Sequence, residues 1–153
     1  GRMCLARLLR VTKMDFANPK TASVQNLLNL AAQYKDAAII LGEASNSSHI
    51  PRRLLAFHSI ELYLDALLLA KGIDHGTIGG FQRELGERMR IACESGLVLR
   101  KRTAAHLASL TPNGEQHIIR YAPERAATLP QINRVMATLD EVSQKVRRLV
   151  KSA

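Results

Sequence analysis

The segment from Pro51 to Gly72 constrains the fold of this 153-residue chain more than any other. Arranged at 100° per residue, it is apolar on nearly every side, and only a narrow strip holding His58, Glu61 and Asp65 is polar. Proline suits the first turn of a helix because its missing N–H would have no partner there, and glycine suits a left-handed C-terminal turn. Two arginines at its start and two internal carboxylates argue against a membrane span. The sequence therefore predicts a buried central helix.

Apolar residues at intervals of three and four predict further helices and an all-α fold. We expect an up-and-down bundle of about five helices, with four of them around the central one at 21–41, 81–94, 97–110 and from Thr128 onward. A turn is expected at Thr111–Gly114, followed by a short helical piece over 115–121 that Pro123 ends. Gly96 is expected to end the helix over 81–94. The outward face of that helix is expected to carry solvated, locally paired charges: Arg83, Glu84, Glu87, Arg88 and Arg90.

Residues 21–153 are expected to form a single domain, preceded by an N-terminal extension over residues 1–20. The two residues before Met3 have the form of a cleavage scar from an expression tag. The next eleven residues place Arg and Lys among leucines, as in a short basic amphipathic helix, and Met14 is an alternative translation start. This piece lacks the uninterrupted apolar run and the cleavage site of a secretory signal, which predicts a cytoplasmic protein.

The chain is strongly basic, with a formal charge of +9 and a pI of about 10.2. Such a charge favours anionic partners, RNA or DNA before membrane headgroups, although many basic proteins are merely well solvated. Cys4 and Cys93 lie far apart in sequence, which predicts reduced thiols in the cytoplasm. The glycine-rich run over 73–80 lacks the Lys-Ser/Thr and the preceding strand of a phosphate loop, so we expect no cofactor.

The polar strip of the central helix contains three side chains of the types that bind metal ions. His58, Glu61 and Asp65 have the spacing of ligands on one helix face. Bundle metal sites also need inward carboxylates from facing helices, and no second helix supplies such a set. We therefore expect no metal and assign these side chains to bonds with their neighbours.

The residues from Ala56 to Gly72 resemble the first helix of HEPN-domain proteins, and Arg120-Tyr121 resembles the pair that often closes their third helix. The resemblance spans roughly residues 50–150. It implies a helical bundle that forms a homodimer. It also implies, for the active branch, a metal-independent RNase whose Arg is followed four to six residues later by His. No His follows Arg120 in that range, so the resemblance implies a divergent member.

These features predict a non-catalytic or degenerate HEPN-like protein that binds nucleic acid, a nucleotide or a partner protein. The expected binding residues are Arg102, Arg120 and Tyr121, because guanidinium groups hold phosphates and a tyrosine ring can stack on a base. The alternative role for Arg120 and Tyr121 is structural: an arginine paired with a carboxylate and a tyrosine packed at the end of a helix.

Two other functions stay open. The first is a metal-independent RNase, such as the toxin half of a toxin–antitoxin pair with an antitoxin-like protein partner. In that enzyme His106 would move a proton and Arg100 would stabilise charge on the phosphate. Arg53 and His58 have a similar spacing, and chance explains such spacings in a chain rich in arginine. The second is a structural adaptor whose basic surface meets an acidic protein.

Overall fold

The computed structural model describes residues 19–44, 49–79, 85–110, 112–129 and 131–151, and every regular element in these ranges is a helix. The predicted all-α fold is confirmed. These ranges contain seven α-helices where about five were expected, because the chain between 75 and 121 is divided into short helices. They are α1 (Pro19–Glu43), α2 (His49–Ala70), α3 (His75–Gly79), α4 (Leu85–Glu94), α5 (Lys101–Ser109), α6 (Pro112–Tyr121) and α7 (Ile132–Lys151), with a 3₁₀-helix at Pro123–Thr128.

Helix α2 is the core of the molecule, as its all-round apolar pattern predicts. It packs along α1 and α7 and also contacts α3 and α4. Full burial of one large apolar side chain stabilises a fold by about 1.5–3 kcal/mol, so this helix supplies much of the hydrophobic free energy. Its buried apolar residues are Ala56, Phe57, Ile60, Tyr63, Leu64, Ala66, Leu67, Leu68 and Leu69. In the described part of the chain, no helix has the length and apolarity needed to cross a membrane.

Helix α1 lies close to α2 because its contact face carries small residues. Ala31 and Ala38 are fully buried there, and the Ser59 hydroxyl of α2 donates a hydrogen bond of 2.7 Å to the Ala31 carbonyl. On the other side α1 reaches α7, where Lys35 Nζ donates to Ser143 Oγ at 2.8 Å. These contacts hold the three longest helices together.

Two glycines end helices in the same way, as the sequence predicts. Gly72 has φ of 93° after α2, and Gly96 has φ of 114° after α4, a region that disfavours other residues. The N–H of Ile73 donates to the Leu68 carbonyl at 3.0 Å, a bond that spans the whole final turn of α2. The turn after α4 has the matching bond, and the residue that follows it, Leu97, is buried.

Three boundaries in the second half differ from the prediction. The last helix was expected from Thr128 onward, but α7 begins at Ile132, because Thr128 belongs to the 3₁₀-helix. Residues 97–100 were expected to be helical, but α5 begins only at Lys101, because the turn at Gly96 carries Leu97 into the core. Thr111–Gly114 was expected to be a turn, yet α6 begins at Pro112. Proline fits the first turn of a helix as well as it fits a loop, so composition alone was misleading here. The expected stop at Pro123 is confirmed, since α6 ends at Tyr121.

The prediction for Arg88 was wrong. It was expected on the solvated face of α4, but it is only 5% exposed, and its Nε donates to Asp65 Oδ1 of α2 at 2.7 Å. The polar strip of α2 thus supplies a partner for a neighbouring helix. Arg90 does lie on the outer face, where it pairs with Glu87 and Glu94 as expected.

The N-terminus of α5 is capped from another helix. Glu141 of α7 accepts the Arg100 backbone N–H at 2.9 Å and the Thr103 hydroxyl at 2.8 Å, and Lys145 Nζ lies 3.0 Å from it. Burial opposes the charge of Glu141, but these hydrogen bonds and the lysine outweigh it and lower its pKa. A carboxylate at this position also suits the positive end of the helix dipole.

Candidate functional site

An exposed aromatic and basic corner lies where α6 meets the 3₁₀-helix. Tyr121, the last residue of α6, is 72% exposed, and its ring centroid is 5.1 Å from that of His117 one turn earlier. Arg120 beside it and Arg125 in the 3₁₀-helix are also exposed. We call His117, Arg120, Tyr121 and Arg125 the Tyr121 corner. Pro123 shapes it by ending α6 directly after the tyrosine.

The exposure of the Tyr121 corner distinguishes a ligand-binding role of Arg120 and Tyr121 from a structural one. The structural role would pack Tyr121 and pair Arg120 with a carboxylate. Instead the tyrosine ring is open to solvent on most of its surface, and no ion pair of Arg120 occurs among the described residues. An accessible ring in a segment that also exposes arginines is chemically suited to stack on a base while an arginine holds a phosphate.

Arg102, the third predicted binding residue, is exposed at the start of α5. No hydrogen bond or ring contact among the described residues connects it with Arg120 or Tyr121. All three predicted binding residues are therefore accessible to solvent, and two of them are adjacent in sequence at the end of α6.

A second group of polar side chains, some buried and some partly exposed, comes from α2, α5, α6 and α7, and we call it the His106 cluster. It consists of Arg53, His106, Glu115, Arg134 and Thr138. Arg53 and Glu115, 5% and 4% exposed, form an ion pair in which Arg53 Nε donates to Glu115 Oε1 at 2.8 Å. His106 Nδ1 is 2.8 Å from Thr138 Oγ1. His106 and Arg134 are partly exposed, so the cluster extends from the surface inward.

Three buried atoms of the His106 cluster have no hydrogen-bond partner among the described residues. They are His106 Nε2, Glu115 Oε2 and Arg134 Nη2, one each from α5, α6 and α7. Leaving a polar atom buried and unpartnered costs about 1–3 kcal/mol. Such groups are rare in folded proteins, and three in one cluster indicate a site that a further polar group would complete.

The electrostatics of the cluster keep His106 uncharged. Burial lowers the pKa of His106, and the positive charges of Arg134 and Arg53 lower it further. The imidazole is therefore neutral at pH 7, with one nitrogen as donor and the other as acceptor. When the Thr138 hydroxyl donates to Nδ1, the unpartnered Nε2 carries the hydrogen and is a donor.

The arginines near His106 are not those that sequence spacing suggests. Arg100 is the partner expected for an RNase, but its side chain is 82% exposed and its Nε lies 3.8 Å from Glu141. Arg134 and Arg53 carry the positive charges that lower the pKa of His106. These residues lie far apart in the chain, and no helical spacing connects them.

The other Arg–His pair found by spacing is also separated. Arg53 turns to Glu115, whereas His58 Nδ1 lies 3.7 Å from Glu61 Oε2 and its ring is 5.6 Å from that of Tyr34. In the described part of the chain, no group of three or more His, Cys, Asp or Glu side chains is arranged to hold a metal ion.

Comparison of the chain with protein-family models, with curated proteins and with solved structures gives no match. The resemblance to HEPN domains therefore stays a prediction. Functional inference depends on the geometry of the Tyr121 corner and the His106 cluster.

Proposed function

We propose that this chain is a non-catalytic HEPN-like protein that binds single-stranded RNA through the Tyr121 corner. The observation that carries the proposal is the tyrosine ring, which is 72% exposed at the end of a helix in a segment that also exposes Arg120 and Arg125. Large aromatic side chains are usually buried in folded proteins, so a ring held open in a basic setting favours a ligand with a flat face and negative charge.

The chemistry of single-stranded RNA fits this corner. Every base has a flat face that stacks on an aromatic ring, which contributes about 1–3 kcal/mol per base. Arg120 supplies the fork-shaped donors that match phosphate oxygens. The net charge of +9 attracts a polyanion over a longer range and makes the affinity depend on salt.

Fluorescence anisotropy with a labelled single-stranded RNA in EDTA tests the proposal. Tyr121→Ala is expected to weaken binding by roughly 5- to 150-fold, the equivalent of one stacked base. Val98→Ala is the matched control, because Val98 is a large apolar residue that is 76% exposed outside the corner, and it should bind as the wild type does. Affinity should also fall steadily as the salt concentration rises.

Two results would contradict this function. RNA binding that Tyr121→Ala and Arg120→Gln leave unchanged would place the RNA elsewhere on the molecule. Failure of the wild-type protein to bind RNA at low salt would remove the proposal altogether and favour a structural adaptor, which should then co-purify with an acidic protein.

A metal-independent RNase is a second candidate, and the neighbourhood of His106 favours it. A neutral histidine near two guanidinium groups and a carboxylate has the donors and acceptors needed for proton transfer at a phosphodiester. Arg53 and Arg134, rather than Arg100, would then stabilise the phosphate. RNA cleavage in EDTA that His106→Ala abolishes would establish this enzyme, whereas intact RNA would exclude it.

A further inference from the structure

The three unpartnered atoms of the His106 cluster differ in the bonds they need. Arg134 Nη2 is a donor, and so is His106 Nε2 when Thr138 donates to the other ring nitrogen. Glu115 Oε2 is a carboxylate oxygen and can only accept a hydrogen bond. A single group that contacts all three atoms would therefore accept two hydrogen bonds and donate one.

The charge of the cluster selects an anion. Arg53 is paired with Glu115 and His106 is neutral, so the positive charge left over in the cluster is that of Arg134, which forms no ion pair with a described carboxylate. Arg134 is partly exposed, but one of its guanidinium nitrogens is buried without a partner among the described residues, so an anionic ligand would be stabilised beside it. Water could satisfy the hydrogen bonds, but it would leave the charge unbalanced.

We propose that the His106 cluster binds a phosphate group that retains one hydrogen, either inorganic phosphate or the terminal phosphate of a nucleotide. Phosphate oxygens accept from His106 and Arg134, and the phosphate hydroxyl donates to Glu115 Oε2. A fully ionised sulfate has the same size but no hydrogen for Glu115, so its oxygen would face a carboxylate oxygen. The site discriminates between the two anions through this one contact. Phosphate binding at this cluster is independent of RNA binding at the Tyr121 corner.

Isothermal titration calorimetry on the full chain at pH 7 and constant ionic strength tests the site, with inorganic phosphate, sulfate and adenosine monophosphate as probes. Phosphate is expected to bind about tenfold or more tightly than sulfate, the size of one hydrogen bond to a charged group. Adenosine monophosphate that binds at least as tightly as phosphate would identify a nucleotide as the source of the group. Binding of phosphate alone would identify the free anion.

Arg134→Gln and Glu115→Gln report on the two sides of the site. Arg134 is partly exposed, so its replacement should leave the fold intact and weaken phosphate binding by about tenfold or more. Glu115→Gln replaces an acceptor by an amide that can donate, and it should remove the preference for phosphate over sulfate. Lys101→Gln is the control, since Lys101 is an exposed cation on the same helix as His106 and should not change phosphate affinity.

Three results would overturn the proposal. They are the absence of binding by both phosphate and adenosine monophosphate, sulfate bound as tightly as phosphate by the wild type, and an unchanged phosphate affinity in Arg134→Gln. If Glu115→Gln fails to fold, the sulfate comparison on the wild type and the Arg134→Gln titration still decide the question.

Discussion

The ion pair between Arg53 and Glu115 allows a stability prediction whose size follows from its burial. Arg53→Met keeps much of the apolar stem but removes the guanidinium, so Glu115 would remain 4% exposed without the cation that is hydrogen-bonded to it. Breaking a buried pair by removing one partner costs about 3–5 kcal/mol. The loss of the Arg53 guanidinium over the Phe57 ring, 5.7 Å from its centroid, adds roughly 0.5–1 kcal/mol. We expect a loss of about 4 kcal/mol.

Urea unfolding followed by the helical circular dichroism signal measures this loss, because the chain contains no Trp to report by fluorescence. Arg53→Met/Glu115→Leu removes both charges and should recover most of the stability, since two apolar side chains replace a desolvated pair. Arg90→Met is the control: its pairs with Glu87 and Glu94 are at the surface, and its cost should be at most about 1 kcal/mol. An Arg53→Met variant that loses no more stability than this control would contradict the prediction. So would a double variant whose loss of stability equals the sum of the two single losses.

Three further predictions concern pH and assembly. Because the pKa of His106 is lowered in the folded state, the imidazole is protonated at a higher pH in the unfolded chain than in the folded one. The free energy of unfolding should therefore fall as the pH drops below 6.5. In urea titrations, His106→Gln should reduce this dependence of stability on pH. The lowered pKa of Glu141 contributes stability that is present above pH 4.5 and is lost as the pH falls through the pKa of Glu141 in the folded state. Glu141→Gln should reduce this loss of stability in acid and lower the free energy of unfolding by about 1–3 kcal/mol. A slope equal to that of the wild type in either variant would contradict its assignment. The homodimer that the HEPN resemblance implies predicts a dimer mass in sedimentation equilibrium, and a monomer at all concentrations would rule it out.

The elements that the sequence predicted well are those whose signal is local. An apolar pattern around the whole of α2 has only one stable outcome, burial, and the glycines at 72 and 96 end their helices through backbone geometry alone. The start of α6 was missed because Pro-Asn-Gly fits both a turn and a first helical turn. Arg88 is buried because it pairs with Asp65, which lies on another helix. The periodicity of one helix cannot predict a partner on another.

The candidate sites divide in the same way. The exposure of Arg120 and Tyr121 agrees with their place beside a helix-ending proline, a local signal, although their binding role stays a proposal. The His106 cluster joins residues from four helices, and spacing along one helix pointed to Arg100 instead. Only the tertiary arrangement of the helices brings Arg53 and Arg134 near the histidine and pairs Arg53 with Glu115, which no pattern within a segment predicts.

The way α6 is fastened to the bundle has a consequence for its motions. Among its described side chains only Glu115 is buried, whereas α2 buries apolar residues along its length. A helix held mainly by one ion pair can detach at a fraction of the free energy of global unfolding. Amide hydrogens of α6 should therefore exchange with solvent through local opening, whereas those of α2 should exchange only through global unfolding. Since Tyr121 ends α6, a ligand stacked there would bind the docked form of this helix and slow the exchange of its amides.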